Sequence, residues 1–260
     1  METNTHIKLH SDIDLLVIVD DFVSLEAPQV PASPYQGDPL AELKRARLNS
    51  FSILDSTYDQ VDDSKPKSIQ VFPTNPKRKV DVVVCNWYDS NEYVQQGRQE
   101  TYRGIRIYDK QQHTRGEDFP FLNIARINAK DSFVNSGLRR SVRILKTLKE
   151  DADYIIDLTS FEITSLVFDI SDEKLLKSDS KRLFLLNELS GQLETLINNH
   201  HHRRTLLSPN KKELVFGADD SKVIEIKKLK TEVDDLRNDI IEELNSGILL
   251  KSNIETDVYY

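Results

Sequence analysis

Three carboxylates in this sequence stand where carboxylates are costly. Asp12 and Asp14 enter the apolar run Leu15-Leu16-Val17-Ile18-Val19, and Asp81 is embedded in Val80-Asp81-Val82-Val83-Val84-Cys85. Apolar runs this rich in branched residues read as buried strands. On a strand, residues i and i+2 point to the same side, so Asp12 and Asp14 leave one face close together. Like charges held that near raise each other's pKa unless a cation lies between them. Mg2+ suits such a pair, because it takes one or two carboxylates and leaves its other positions to water and substrate phosphates. An acid among valines is costly to bury unless it is paired or metal-bound. Asp81 therefore needs a partner, and the Asp12/Asp14 site would supply one. The plainer reading of Asp-x-Asp taken alone is a polar strand entrance.

The elements that position these acids can be read in turn. The first strand is expected to end near Val19, with a loop from Asp20 to Asp38 punctuated by Pro28, Pro31, Pro34 and Gly37. Pro39 fits the first turn of a helix that runs to about Thr57. Its apolar face is Leu40, Leu43, Ala46, Leu48, Phe51 and Leu54. Lys44, Arg45 and Arg47 are its solvated side, with a grip on nucleotide as the alternative. Ser68 to Phe72 alternates as a strand, Pro73-Thr74-Asn75-Pro76 turns, and Lys79 to Cys85 returns carrying Asp81. The stretch 86–120 holds Trp87, Tyr88, Tyr93, Tyr102 and Tyr108, with a short strand from Gly104 to Tyr108. Ordinary packing is the plain reading for each aromatic, and stacking on a base is the functional one.

Asn135-Ser136-Gly137 offers cap chemistry for a helix from Leu138 to about Glu150. Leu138, Val142, Leu145 and Leu148 make its apolar stripe. Arg139, Arg143 and Lys146 make a basic one, either solvated or turned toward a cleft. Apolar helices follow over 159–170 and 180–198. His200, His201 and His202 are adjacent, and neighbours on a helix point about 100° apart, so they read as a polar helix end rather than one metal site. A long helix from Ser221 to about Ser246 is expected to stop at Gly247, leaving a flexible tail over 249–260. Its apolar face packs on the helical half or on a partner helix.

The composition sets bounds. The 260 residues, 38% hydrophobic and 30% charged, suffice for a sizeable core. A formal net charge of −8 disfavours extended nucleic-acid binding, though not a local basic groove. The single cysteine, Cys85, excludes an internal disulfide framework and fits a reducing cytosol. At the end of an apolar strand it reads as a small core residue. No run approaches the roughly 20 apolar residues of a membrane span, and no basic-then-apolar leader opens the chain. The expected location is cytoplasmic.

Ser11-Asp12-Ile13-Asp14-Leu15-Leu16-Val17, the later Val80-Asp81-Val82-Val83, and Arg139-Arg140-Ser141-Val142-Arg143-Ile144-Leu145-Lys146 together resemble the DNA polymerase β-like nucleotidyltransferase superfamily. Within it they resemble the cGAS/DncV-like (CD-NTase) branch, over roughly residues 3 to 245. The resemblance implies an α+β fold: a polymerase β-like sheet-and-helix catalytic core over 1–122, then an oligoadenylate-synthetase-like helical domain over 123–248. It implies nucleotidyl transfer with two Mg2+ or Mn2+ ions held by Asp12, Asp14 and Asp81. Ser11, Arg139, Arg143 and Lys146 would bind nucleotide, and Lys146 matches a family lysine that contacts phosphates. The implied substrates are NTPs, and the implied product is a cyclic or linear oligonucleotide second messenger in bacterial antiphage defence, read by an effector or regulatory protein.

The match departs at one place. Family members carry a Gly-Ser motif on a helix before the Asp-x-Asp strand, whereas Met1-Glu2-Thr3-Asn4-Thr5-His6-Ile7 begins where that motif should have ended. A misplaced start, a truncation and a loss of catalysis each account for this. The alternatives to the synthase are thus a catalytically impaired nucleotide-binding or interaction protein, or a nucleotidyltransferase that modifies RNA or protein.

Overall fold

The structure, a computed structural model, describes residues 13–74, 78–177 and 182–257. Its chain divides into two compact units, 1–126 and 127–260. The division falls inside a helix, shortly after the expected 122/123 boundary. The first unit is a sheet with helices, the second is helical, and the fold class is α+β as expected.

In the first unit the order is β1 (Ile13–Leu25), α1 (Pro39–Thr57), β2 (Val61–Asp62), β3 (Ser68–Val71), β4 (Val80–Asp89), α2 (Asn91–Gln95), β5 (Gly104–Asp109) and β6 (Thr114–Asp118). α3 (Pro120–Phe133) begins there and ends in the second unit. The described strands form one six-stranded sheet around β4. β1 runs parallel to β4 along its whole length, from Ile13↔Val80 to Leu25↔Asp89. That leaves one free edge, which β3 takes at Val80–Val83 and β5 takes at Cys85–Tyr88, both antiparallel. β6 then pairs with β5, and β2 with β3.

β1 does not end at Val19. A bulge after Val19 carries Asp20 and Asp21 out to solvent, and pairing resumes at Val23. Phe22 and Ser24, read as loop residues from the sequence, are buried. Two adjacent aspartates hide the continuing strand, because the bulge breaks the period-2 pattern by which a strand is recognised.

Asp38 caps α1, accepting from Leu40 N–H (2.9 Å) and Ala41 N–H (3.3 Å), with Pro39 in the first turn. Leu43 packs with Phe22, Val84 and Tyr108, and Leu40 and Ala46 join them. Phe51 and Leu54 pack against Ile69, Val71 and Val82. Two expectations for this helix fail. Leu48 is exposed, and Arg47 is 3% exposed. Arg47 occupies the i+4 position of the series 40, 43, 47, 51, 54, which faces the sheet, while Leu48 lies one residue, about 100°, off it.

The second unit contains α4 (Gly137–Asp151), α5 (Ser160–Phe168), α6 (Asp172–Lys177), α7 (Arg182–Asn198), α8 (His200–Thr205) and α9 (Lys222–Asp257). Leu138, Val142 and Leu145 of α4 are buried with Ile163 and Leu166 of α5, Leu189 and Leu193 of α7, and Ile226, Leu229 and Val233 of α9. α9 does not stop at Gly247; it continues to Asp257, so the expected tail is helical there. A mid-helix glycine costs only about 1 kcal/mol, too little to end a helix whose following residues are ordinary helix formers. No helix among the described residues is long and apolar enough to cross a membrane.

The cap of α4 also differs from expectation. Asn135 and Ser136 are left-handed, at φ 50° and 64°, and Ser136 makes no side-chain cap bond. Asp131 reaches back from α3 instead, and its Oδ1 accepts from Arg139 N–H at 2.9 Å. The turn is tight enough that a Cβ on Gly137 would lie 2.5 Å from the Leu175 carbonyl oxygen. Gly137→Ala is therefore expected to destabilise the protein by about 1–3 kcal/mol through overpacking, read as a lower urea midpoint at unchanged slope.

Candidate active site

The parallel register sets Asp14 directly beside Asp81. Paired residues on neighbouring strands point to the same face, so both carboxylates leave one side of the sheet. The valines on either side of Asp81, Val80 and Val82, pack toward α1. The carboxylates are thus on the face turned away from α1. Asp14 is exposed and Asp81 half-buried. Asp12 and Ser11 lie outside the described residues. Among those described, no group of three or more His, Cys, Asp or Glu is placed to hold a metal ion. Asp14 and Asp81 are two of the three acids the sequence named.

Asp81 has the partners its burial demands. Its Oδ1 accepts from Gln70 Nε2 (2.9 Å) and Ser68 Oγ (3.2 Å), both on β3. Its Oδ2 lies 3.0 Å from Lys79 Nζ. One oxygen is thereby held by neutral donors, while the other faces a cation. Gln70 is the register partner of Asp81 on β3 as Asp14 is on β1. The row Asp14, Asp81, Gln70 crosses three strands on a single face.

Farther along the same face come Val83, Cys85 and Trp87. Cys85 is fully buried and its thiol is pushed up to about 12 by burial, with the Asp118 charge adding to it. It is the core residue expected. Trp87 pairs with Ile105, and Ile105 with Asp118. The Trp87 ring lies 5.7 Å from Phe121, and the Arg103 guanidinium is 4.4 Å from its centroid. Arg103 is held by Asp89 at 2.7 Å. Tyr88, Tyr93 and Tyr108 are buried, and Tyr102 packs beside Tyr88. Packing therefore accounts for the tyrosines, and of the named aromatics on the strands it is Trp87 that shares the face of the acids.

Asp118 has no counterpart in the sequence reading. It lies at the end of Thr114-Arg115-Gly116-Glu117-Asp118, too polar to show strand periodicity. Burial raises its pKa, the Phe119 N–H (2.7 Å) and the Lys67 charge oppose that rise, and Asp14 adds to it.

Residues 125–241 match the cGAS/DncV-like nucleotidyltransferase C-terminal helical domain. Over 95% of its length this chain is 33% identical to a c-di-GMP synthase of a Flavobacteriaceae species, covering 74% of that protein. The chain belongs to the cGAS/DncV-like nucleotidyltransferases. A solved structure of a STING-associated CdnE c-di-GMP synthase from Flavobacteriaceae superposes with a TM-score of 0.78 at 31% identity, over 93% of this chain and 74% of that one. A cyclic dinucleotide synthase CdnE of Yersinia aleksiciae is 34% identical, over 92% of this chain and 64% of its own.

In this nucleotidyltransferase the basic stripe of α4 is divided in its roles. Arg139 is engaged locally, with Nη1 on Asp131 Oδ2 and Nη2 on Asn128 Oδ1, each at 2.6 Å. Arg143 is half-buried, and Lys146 is 7% exposed. A solvated basic face is excluded for Lys146. Burial lowers its pKa, and Lys149 lowers it further. A lysine whose folded pKa is depressed disfavours folding while charged, and the cost is fully present below the folded pKa and relieved as pH rises above it. Lys146→Met is accordingly expected to raise the melting temperature, by about 2–4 °C per kcal/mol recovered, and a thermal melt checks this.

The adjacent histidines do not converge on one point. His202 Nε2 lies 2.7 Å from Asp169 Oδ2, and His200 Nε2 lies 3.5 Å from Asp220. They face different carboxylates, as their angular spacing requires.

Proposed function

We propose that the protein is a cyclic dinucleotide synthase that joins NTPs through Asp14 and Asp81, together with Asp12, and that its product serves as a second messenger in antiphage defence. The observation that carries this reading is the Asp14↔Asp81 register. Two hard-oxygen ligands sit side by side, and one of them already attracts a cation, Lys79. This donor set fits Mg2+ or Mn2+, with Asp12, Asp14 and Asp81 as ligands. Bound divalent ions would supply charge neutralisation at the triphosphate and activation of the acceptor hydroxyl. The relatives named c-di-GMP synthases support guanine as the base.

Catalysis of phosphoryl-type transfer is mostly positioning and charge balance. Gln70 and Ser68 fix the rotamer of Asp81, so its second oxygen points in one direction. β4, paired on both edges, holds Asp81 rigidly against Asp14. We assign Lys146 to the nucleotide phosphates, with Ser11 and Arg143 as further contacts. Arg139 positions α4 through Asp131, and its share in binding nucleotide would be secondary.

The test is incubation of the purified protein with the four labelled NTPs and Mg2+ or Mn2+, beside an Asp14→Asn control. A phosphatase-resistant product that disappears in the control is the expected result. Label transferred to RNA or protein would replace this reading with macromolecule modification, and no incorporation under any metal would overturn it.

A further inference from the structure

Asp118 is a half-buried, largely desolvated acid without an ion pair among the described residues. The only hydrogen bond its carboxylate accepts there is from the neighbouring Phe119 N–H. A desolvated carboxylate held so weakly is costly, and nothing in the packing of β5, β6 or α3 requires one. Its register places it on the face of the metal-binding acids. The row Trp87↔Ile105↔Asp118 continues the alternation Asp81, Val83, Cys85, Trp87. Two electrostatic contacts agree with that placement: the Asp14 charge acts on Asp118, and Asp118 acts on the Cys85 thiol. Phe121, three residues later, lies on Trp87 and gives this end of the face an aromatic wall.

We propose that Asp118 reads the base, accepting hydrogen bonds from the N1–H and 2-amino group of guanine. An ionised carboxylate is acceptor-only. Guanine presents two adjacent donors on that edge. Adenine presents an acceptor at N1 and no 2-amino group, so the same carboxylate repels it. A site built to bond a polar group also rejects analogues lacking it, because its own buried group is then left unpaired. The assignment rests on the nucleotidyltransferase reading above and adds the residue that selects the base.

The experiment measures binding of GTP, ITP and ATP in Ca2+ to the wild-type protein and to Asp118→Asn, with the products from mixed NTPs analysed in parallel. ITP keeps N1–H and lacks only the 2-amino group. Wild type is expected to prefer GTP over ATP by about 10- to 100-fold, the range of one or two hydrogen bonds to a charged group, and over ITP by about tenfold. Asp118→Asn should lose most of its GTP affinity and little of its ATP affinity, collapsing both preferences. Equal losses for all three nucleotides, or a retained preference for GTP, would overturn the proposal. If Asp118→Asn does not fold, the wild-type ratios decide: no discrimination between GTP and ITP overturns it. A wild type that prefers GTP but forms no product would refute the synthase reading and leave this one standing. A synthase that makes adenine products refutes this one alone.

Discussion

Asp14→Asn is expected to lower nucleotidyl transfer by at least about 10³-fold while shifting the melting temperature by no more than about 2–3 °C. The large effect follows from the ligand's place. The charge stabilisation a metal ion gives in such a transfer is several kcal/mol, and each 1.36 kcal/mol is a factor of ten. Asparagine keeps one oxygen but removes the charge that balances the ion. The small effect on stability follows from exposure and pairing. Asp14 is exposed, and like charges directly opposite on neighbouring strands destabilise a sheet. Asp81→Asn should be equally inactive but differ in stability, because the 3.0 Å contact with Lys79 loses its charge. Steady-state assays, differential scanning fluorimetry and a Mg2+ titration of both variants separate the outcomes. Activity within tenfold of wild type in either variant would remove these acids from the reaction.

Arg47→Ala is expected to destabilise the protein by about 3–5 kcal/mol, the range for breaking a buried charge network by removing one partner. Its Nε and Nη2 donate to Asp63 Oδ1 at 3.0 and 2.6 Å. Its other bonds run to the carbonyls of Pro66 (3.1 Å), Lys65 (2.7 Å) and Ser68 (2.8 Å). Lys110 would still hold Asp63 at 2.8 Å through its ammonium and the Pro66 carbonyl at 3.0 Å through its N–H, but the Lys65 and Ser68 carbonyls would lose their guanidinium donor. A loss of this size is a large fraction of the 5–15 kcal/mol typical of a domain. Arg47→Lys should recover little, since an ammonium cannot reproduce a planar five-donor fork. Urea denaturation measures both. A loss under about 1 kcal/mol for the alanine variant would return Arg47 to the solvated face. The same substitution should lower activity beyond the fraction unfolded, because Ser68, which Arg47 anchors, also holds Asp81.

The two cases show what the sequence made legible. Asp14 and Asp81 stood out because an acid in a run of branched apolar residues conflicts with its surroundings, and that conflict survives without an alignment. The β3–β4 hairpin was readable from its turn and alternation, and α4 and α9 from stripes sustained over several turns. Arg47 holds a position of the apolar stripe, but a guanidinium reads as solvated by residue type, so its burial has no signal in composition alone. Asp118 was invisible because β6 has no apolar period, and its face is set by pairing with β5. Asn135-Ser136-Gly137 offers cap chemistry for α4, while the fold uses Asp131 from the preceding helix. Contacts fixed by register or by a reach between elements leave no local trace.

The sharing of one edge of β4 by β3 and β5 leaves β1 as the strand that closes the sheet on its other side. β3 and β5 reach β4 through short connections, whereas β1 pairs with it across all of α1, β2 and β3. Loop-closure entropy makes such a pairing slow relative to local ones. Asp14 and Asp81 therefore meet only when this long-range pairing forms. During synthesis the nascent chain carries β1 unpaired until β4 has left the ribosome, and any metal affinity built on both acids arises late. Ion binding during refolding would then report docking of β1, with a rate set by topology rather than by metal concentration.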